Sequence, residues 1–409
     1  MIWTVFNDNT AKHSETGGAA FGVEVHASAY AFICPTIADS DKVLNYTTFY
    51  NYKVINRSTY QYDSCYLSNW VDEGLGNEND DYIGCDVMNN YGYAFNGDSF
   101  DESVGTKPGY GQNLPAFACN ILNGPYANAN DGIDNNNNGV IDEPNEKCLM
   151  YSFEYYTNTG DPQTGNPISN SPIQYYNLIH GFWKNGTPVT YGGNGTSSLS
   201  PVCRHVFPGN SDPYGISMGG SIASPVAPPP TYPGTGWTMK AAGVVKNDMR
   251  FSTGVGPFSM QPGGIYEFDY AYVFSQDSLN CYGDTVLAGA CILPRAQRDN
   301  IKVKNWFDTN TFPSCLSLSG LGMKEIKPTP ADINIYPNPA SNLVFIEFKQ
   351  ANTNVTVELF DMFGNLVKAG TFTEVQKYIS IPVDDLQNGL YQVRIRSNDQ
   401  LVTKKFVKQ

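Results

Sequence analysis

The strongest constraint on this chain is an alternation of apolar and polar residues with period two, interrupted at short intervals by turn-forming residues. Between residues 21 and 31 the odd positions are Phe21, Val23, Val25, Ala27, Ala29 and Ala31, while Glu24, His26 and Ser28 fall between them. Successive side chains of a strand point to opposite faces, so this segment reads as a half-buried strand with Glu24 and His26 on its wetter side. Residues 48–55 and 60–71 are rich in Tyr, Val and Ile and flank Asn56-Arg57-Ser58-Thr59, which predicts a hairpin. After the turn Pro262-Gly263-Gly264, the residues Tyr266, Phe268, Tyr270, Tyr272 and Phe274 share one face of a further strand. One helix is expected near residues 295–307, with Ala296, Ile301 and Trp306 toward a core.

Long loops separate these strands. Residues 89–147 are rich in Asn, Gly and Asp, residues 185–235 in Gly, Ser and Pro, and Pro228-Pro229-Pro230 predicts extended polyproline backbone. A length of 409 residues suggests two or three domains. The fold class is all-β: a β-sandwich-rich body over residues 1–319, a linker over 320–332, and a second β module over 333–409. The 25 Lys and Arg residues are outnumbered by 39 Asp and Glu, giving a net charge of −14 with no segregated basic stripe, which excludes a nucleic-acid surface. No apolar run approaches the ~18 residues of a membrane span. The opening Met1-Ile-Trp-Thr has neither a basic nor an apolar signal region, so the expectation is that residue 1 is not the native start. Nine cysteines lack any paired ligand spacing, which argues against zinc ribbons and redox motifs. Disulfides are plausible in an exported chain, and Cys281/Cys291 or Cys119/Cys148 would close modest loops.

The last 77 residues read as a compact sandwich, with strands at Ile333/Ile335, Val344/Ile346/Phe348, Val355/Val357/Leu359, 378–381 and Tyr391/Val393/Ile395. Four motifs occur in order: Tyr336-Pro337-Asn338-Pro339-Ala-Ser-Asn342, Leu359-Phe-Asp-Met-Phe-Gly364, Leu386-Gln-Asn-Gly389-Leu-Tyr391 and Lys404-Lys405-Phe-Val-Lys408. This series resembles the type A C-terminal sorting domain of the Bacteroidota type IX secretion system. The resemblance implies an Ig-like sandwich, passage across the outer membrane, recognition by the secretion machinery, and cleavage near the linker by a sortase-like peptidase that attaches the body to surface lipopolysaccharide.

The clearest chemistry in the body lies at residues 131–143. Asp134, Asn136, Asn138, the Val140 carbonyl and Asp142 have the offsets of an EF-hand-type calcium loop, with Gly139 at its sharp turn and Asn145 where a Glu would close the ring. Neither flank looks helical, so a loop-only structural calcium site is expected. A second acidic cluster contains Asp72, Asp80, Asp81 and Asp86, and three readings of it stay open: a second calcium, an acid/base pair, or a charged surface loop. Gly215-Ile-Ser217-Met-Gly219 fits the letters of a nucleophile elbow but lacks the strand and helix such an elbow needs. The four histidines, His13, His26, His180 and His205, form no metal motif and read as surface or core residues.

Segments 48–58, 70–72, 80–86 and 256–263 resemble large secreted Bacteroidota proteins of uncharacterised activity, a likeness that speaks to location rather than chemistry. The expectation is therefore a calcium-stabilised, exported body with a binding or adhesion role toward a surface glycan or protein. Its rivals are a secreted hydrolase acting on polysaccharide through the 72–86 carboxylates, and a non-catalytic carbohydrate binder that stacks sugars on Tyr and Trp.

Overall fold

The computed structural model describes the chain except residues 10–12, 36, 233, 278–290, 314–332, 349–351, 362–364, 376 and 398–399. The expected linker at 320–332 thus lies outside the described residues, as do Cys281, Cys315 and Gly364. Two compact units are present, Met1–Leu316 and Ser317–Gln409.

In the first unit the four period-two segments and six further stretches form ten strands, two of which, β6 and β7, lie in the 89–147 stretch expected to be loop: β1 Ile2–Asn7, β2 Val23–Ala31, β3 Thr47–Asn56, β4 Tyr62–Val71, β5 Asp81–Asp86, β6 Tyr91–Asn96, β7 Ala116–Asn123, β8 Met150–Thr157, β9 Met249–Met260 and β10 Ile265–Ser275. They form a seven-stranded sheet, ordered β1-β2-β3-β10-β7-β6-β5, and a three-stranded sheet, β4-β9-β8. The smaller sheet lies over the β5–β6 side of the larger. Between them Val255, Phe251, Phe153, Ile121, Ile83, Phe268 and Tyr270 are buried in one core, as the alternation requires.

The hairpin expected around residues 56–59 does not form, because β3 and β4 belong to different sheets. Asn56 explains the departure. Its side-chain amide donates to the Tyr60 and Met260 carbonyls, while its Oδ1 accepts the Ser58 N–H at 3.0 Å. The fully buried side chain turns the chain from one sheet into the other instead of back on itself. The segment 256–263 is likewise mostly strand, since β9 runs to Met260 before the turn.

The other face of the large sheet is covered by α2, Ile292–Thr309, which packs on β7 and β10. Ile292, Ala296 and Val303 are buried, but Ile301 is exposed. At 100° per residue, Ile301 stands about 140° round the helix from Ala296, so both cannot face the sheet. Two polar links fix the helix: Asn120 Nδ2 donates to Asn300 Oδ1 at 3.1 Å, and Ser275 Oγ donates to Asp299 Oδ2 at 2.9 Å.

The segment between β8 and β9 holds only short helices, including α1 at Pro172–Asn177, yet it is not a solvated loop. Trp183 and Trp237 are both fully buried, and their indole N–H groups donate to the Gly195 and Gly193 carbonyls. Of the cysteines, Cys34 and Cys291 are disulfide-bonded. Cys119 and Cys148, expected as a possible pair, are buried free thiols.

The second unit has seven strands: β11 Ile333–Tyr336, β12 Leu343–Phe348, β13 Asn352–Phe360, β14 Leu366–Val375, β15 Tyr378–Pro382, β16 Gly389–Ser397 and β17 Gln400–Lys408. Sheets β11-β12-β15 and β14-β13-β16-β17 enclose Val344, Ile346, Val357, Leu359, Val393, Ile395 and Phe406. This is the expected small Ig-like sandwich.

Candidate functional site

The sorting motifs sit where the second unit closes on itself. Asn338, between Pro337 and Pro339, accepts the Val407 N–H on its Oδ1 at 2.9 Å and donates from Nδ2 to the Lys405 carbonyl at 3.4 Å. Ala340 N–H donates to the Val407 carbonyl, and Gln409 N–H donates to the Ala340 carbonyl. The opening motif is thus tied to the basic-apolar tail. Gly389 begins β16 opposite Lys408, and Tyr391 pairs with Phe406. The Tyr391 ring stacks on Phe406 at 5.6 Å, and its hydroxyl donates to the Gln387 carbonyl. Lys404 and Lys405 lie exposed on the edge strand β17.

In the body, the loop from Asp131 to Glu146 takes a tight, carboxylate-rich form. Asp134 accepts the Asn138 and Gly139 N–H groups at 3.1 and 2.6 Å. Gly139 has φ +87°, and a Cβ there would stand 2.1 Å from Ile222, so only glycine fits. Asn136 Oδ1 accepts the Asn138 N–H, and Asn138 Oδ1 accepts the Val140 N–H. The side-chain amides of Asn136 and Asn138 both donate to one oxygen of Glu143, whose other oxygen is buried without a hydrogen-bond partner among the described residues. Asp142 instead receives the Gly132 N–H on both its oxygens. Burial lifts the Asp134 carboxyl above its usual range, and Glu146 is pushed up to about 7 by burial, with the Glu143 and Asp134 charges adding.

The four carboxylates of the second cluster do not assemble. Asp72 pairs with Arg250 at 3.2 Å, and Asp86, at the far end of β5, accepts the backbone and side-chain N–H groups of Asn89. Asp80 and Asp81 do come together, joined by Asp101 and Glu73. Burial, then Asp101, raises Asp80 to about 6, while burial, then Glu73 and Asp80, raises Asp81 to about 9. Among the described residues, no three or more His, Cys, Asp or Glu side chains are arranged to hold a metal ion. Any cation in the 131–146 loop would therefore rely on amide and carbonyl oxygens as well as carboxylates.

The fold brings Ser217, His205 and Asp212 near one another, but in structural roles. Ser217 Oγ accepts the Arg204 and His205 backbone N–H groups, and Asp212 accepts those of Ile216 and Ser217. The fully buried His205 ring has Nε2 at 3.2 Å from the Met150 carbonyl and makes no hydrogen bond to Ser217. Burial, with Arg204 adding, pushes its pKa down to about 3, so the ring is neutral. This is not a nucleophile–base pair.

A grouping that no sequence motif marks lies on the outer side of the three-stranded sheet. Tyr66 of β4 is 5.5 Å from Tyr151 of β8, 5.9 Å from Tyr176 of α1 and 5.6 Å from His180, centroid to centroid. The Arg204 guanidinium lies over the Tyr151 ring at 4.2 Å. Gly181, next to His180, has φ +93°, a backbone conformation that favours glycine. His180 Nδ1 is 2.5 Å from the Tyr176 carbonyl, so Nδ1 carries the hydrogen and Nε2 is left as an acceptor. All five side chains are half-buried. Five residues from four separate segments have no shared spacing, and only the clustering of Tyr residues hinted at them.

Among known proteins, residues 334–409 match the family described as secretion system C-terminal sorting domain. The chain is similar to an immunoglobulin-like β-sandwich protein of the DUF3244 family from Bacteroides vulgatus, at 22% identity over 20% of this chain and 86% of that one, with a TM-score of 0.18. It is also similar to a polysaccharide lyase, at 7% identity and a TM-score of 0.23, over 95% of this chain and 34% of the lyase. No curated protein matches the chain. No helix among the described residues is long and apolar enough to cross a membrane. The ordered motifs, the sandwich they close and the family match agree: residues 334–409 are a type IX secretion C-terminal sorting domain, and the chain is exported, secreted or held at the cell surface.

Proposed function

We propose that the body is a binding module delivered outside the cell by its sorting domain, and that one calcium ion holds the 131–146 loop in shape. The observation that carries the calcium reading is the convergence of Asn136, Asn138 and Glu143, with Asp134 already bonded to the turn at Gly139. Asn136 and Asn138 would turn their amide oxygens to the ion, Glu143 would supply the carboxylate, and its buried, unpartnered oxygen would gain a ligand. Asp142, engaged with Gly132, has no part in this set. A binding role, rather than a catalytic one, accords with Ser217, His205 and Asp212 each serving the local backbone. Removal of the sorting domain by a sortase-like peptidase within 320–332 would leave this body as the mature product.

Thermal unfolding of the full chain after chelation, with and without millimolar calcium, tests the ion. The melting temperature is expected to rise with calcium, to lose that rise in Asp134→Ala and Glu143→Gln, and to keep it in Asp142→Ala. An unmutated chain indifferent to calcium would reduce the loop to a hydrogen-bonded turn.

A further inference from the structure

We infer that the group Tyr66, Tyr151, Tyr176, His180 and Arg204 is a binding site for a carboxylate-bearing sugar residue of a polysaccharide. The inference deepens the binding role proposed above and rests on it. Arg204 is the reason for the charge. Its guanidinium is half-buried against the Tyr151 ring, donates to the Ile216 carbonyl at 3.0 Å, and has no ion-pair partner among the described residues. Asp212 feels its charge, but that carboxylate is buried and already accepts two backbone N–H groups. A planar cation fixed on an aromatic face, with donors to spare in an acidic protein, suits a planar carboxylate taken by two parallel N–H bonds.

The rings are the reason for the sugar. Tyr66 is tilted by 54° to Tyr151, 77° to Tyr176 and 43° to His180, so the rings pack edge to face around Tyr66, and each stays half-buried, with part of its surface to solvent. Part-exposed aromatic faces take the C–H faces of a sugar ring, an apolar body with a polar rim. His180 Nε2, with Nδ1 held by the Tyr176 carbonyl, would accept a sugar hydroxyl. The grouping is built into the fold. A Cβ at Gly256 would stand 2.6 Å from the Tyr66 ring, so glycine at that point of β9 seats Tyr66.

Calorimetric titration of the full chain with a galacturonate trisaccharide, and with the neutral galactose trisaccharide of the same linkage, tests the site. The acidic sugar is expected to bind at least tenfold more tightly, and Arg204→Gln to abolish that preference. Because Arg204 also holds Ile216, a second variant is needed. His180→Gln, whose melting temperature should stay within a few degrees of the parent, is expected to weaken the acidic sugar severalfold. Equal affinity for the two sugars, or a preference that survives both substitutions, overturns the site while leaving the binding role standing. No binding of either sugar at millimolar concentration by the unmutated chain removes the site as well.

Discussion

Several of the most informative residues are acids that the fold keeps from ionising. Asp81 is buried at the start of β5 with one oxygen bonded to the Leu75 N–H and the other without a partner. A carboxyl whose folded pKa is raised keeps its proton where the unfolded chain has released it. Its contribution is therefore intact in acid and declines as pH rises from about 4, the unfolded value, toward about 9, the folded one, by at most ~1.4 kcal/mol per pH unit. Asp81→Asn keeps the bond to Leu75 and has no charge to lose. The variant is expected to melt with the parent near pH 4 and several degrees above it at pH 8. A variant that is less stable at pH 8 would show that the site needs the anion. The acidic pair at Asp80 and Asp81 thus makes the body's stability depend on pH, and the carboxylates at Asp72 and Asp86 belong to other neighbourhoods.

Elements show why some of this architecture was legible in the sequence and some was not. Strands such as Val355/Val357/Leu359 announce themselves, since burial of one sheet face imposes period two, and β10 does so because its aromatic face meets the small sheet while Ala271 and Val273 meet the other cover. The 158–248 segment has no period because its aromatics are held by irregular contacts, as Trp183 is by Gly195 and Trp237 by Tyr191 and Phe207, so a Gly- and Pro-rich composition disguised a packed layer. The β3–β4 connection looked like a hairpin because nothing in Asn56-Arg57-Ser58-Thr59 reveals that Asn56 will bond Met260, some 200 residues away. The hydrogen-bonded turn at Asp134–Gly139 was legible from its Asn and Gly spacing, whereas the approach of Glu143 to Asn136 and Asn138, next to Asp142 at φ +59°, was not. The Tyr66–Arg204 grouping is a product of topology alone. One element-level test follows. Gly195 has φ +85°, and a Cβ there would stand 2.7 Å from the Trp183 ring. Gly195→Ala is expected to cost about 1–3 kcal/mol and to shift tryptophan emission to the red as that layer loosens. Unchanged emission and melting would mean that the layer adapts freely.

At the scale of the whole molecule, the chain carries a body and an address, and the address depends on its own small core. Phe406 is fully buried and stacked on Tyr391 in a sandwich of fewer than 80 residues, a size at which one core supplies only a few kcal/mol. Phe406→Ala removes about 3–5 kcal/mol, which is enough to unfold such a domain. The expected outcome is that the variant accumulates inside the producing cell while Lys404→Gln, an exposed change, leaves the fold of the domain intact by circular dichroism. Normal export of Phe406→Ala would mean that the motifs are read as a linear tag. The tie between Asn338 and the backbone of Lys405 and Val407 has a consequence for timing. The opening motif can find its place only after the tail has been synthesised, so a chain cut short before residue 400 has nothing to close against. A variant lacking residues 400–409 is therefore expected to leave the sandwich open and to stay inside the producing cell, and its normal export would show that closure is not required.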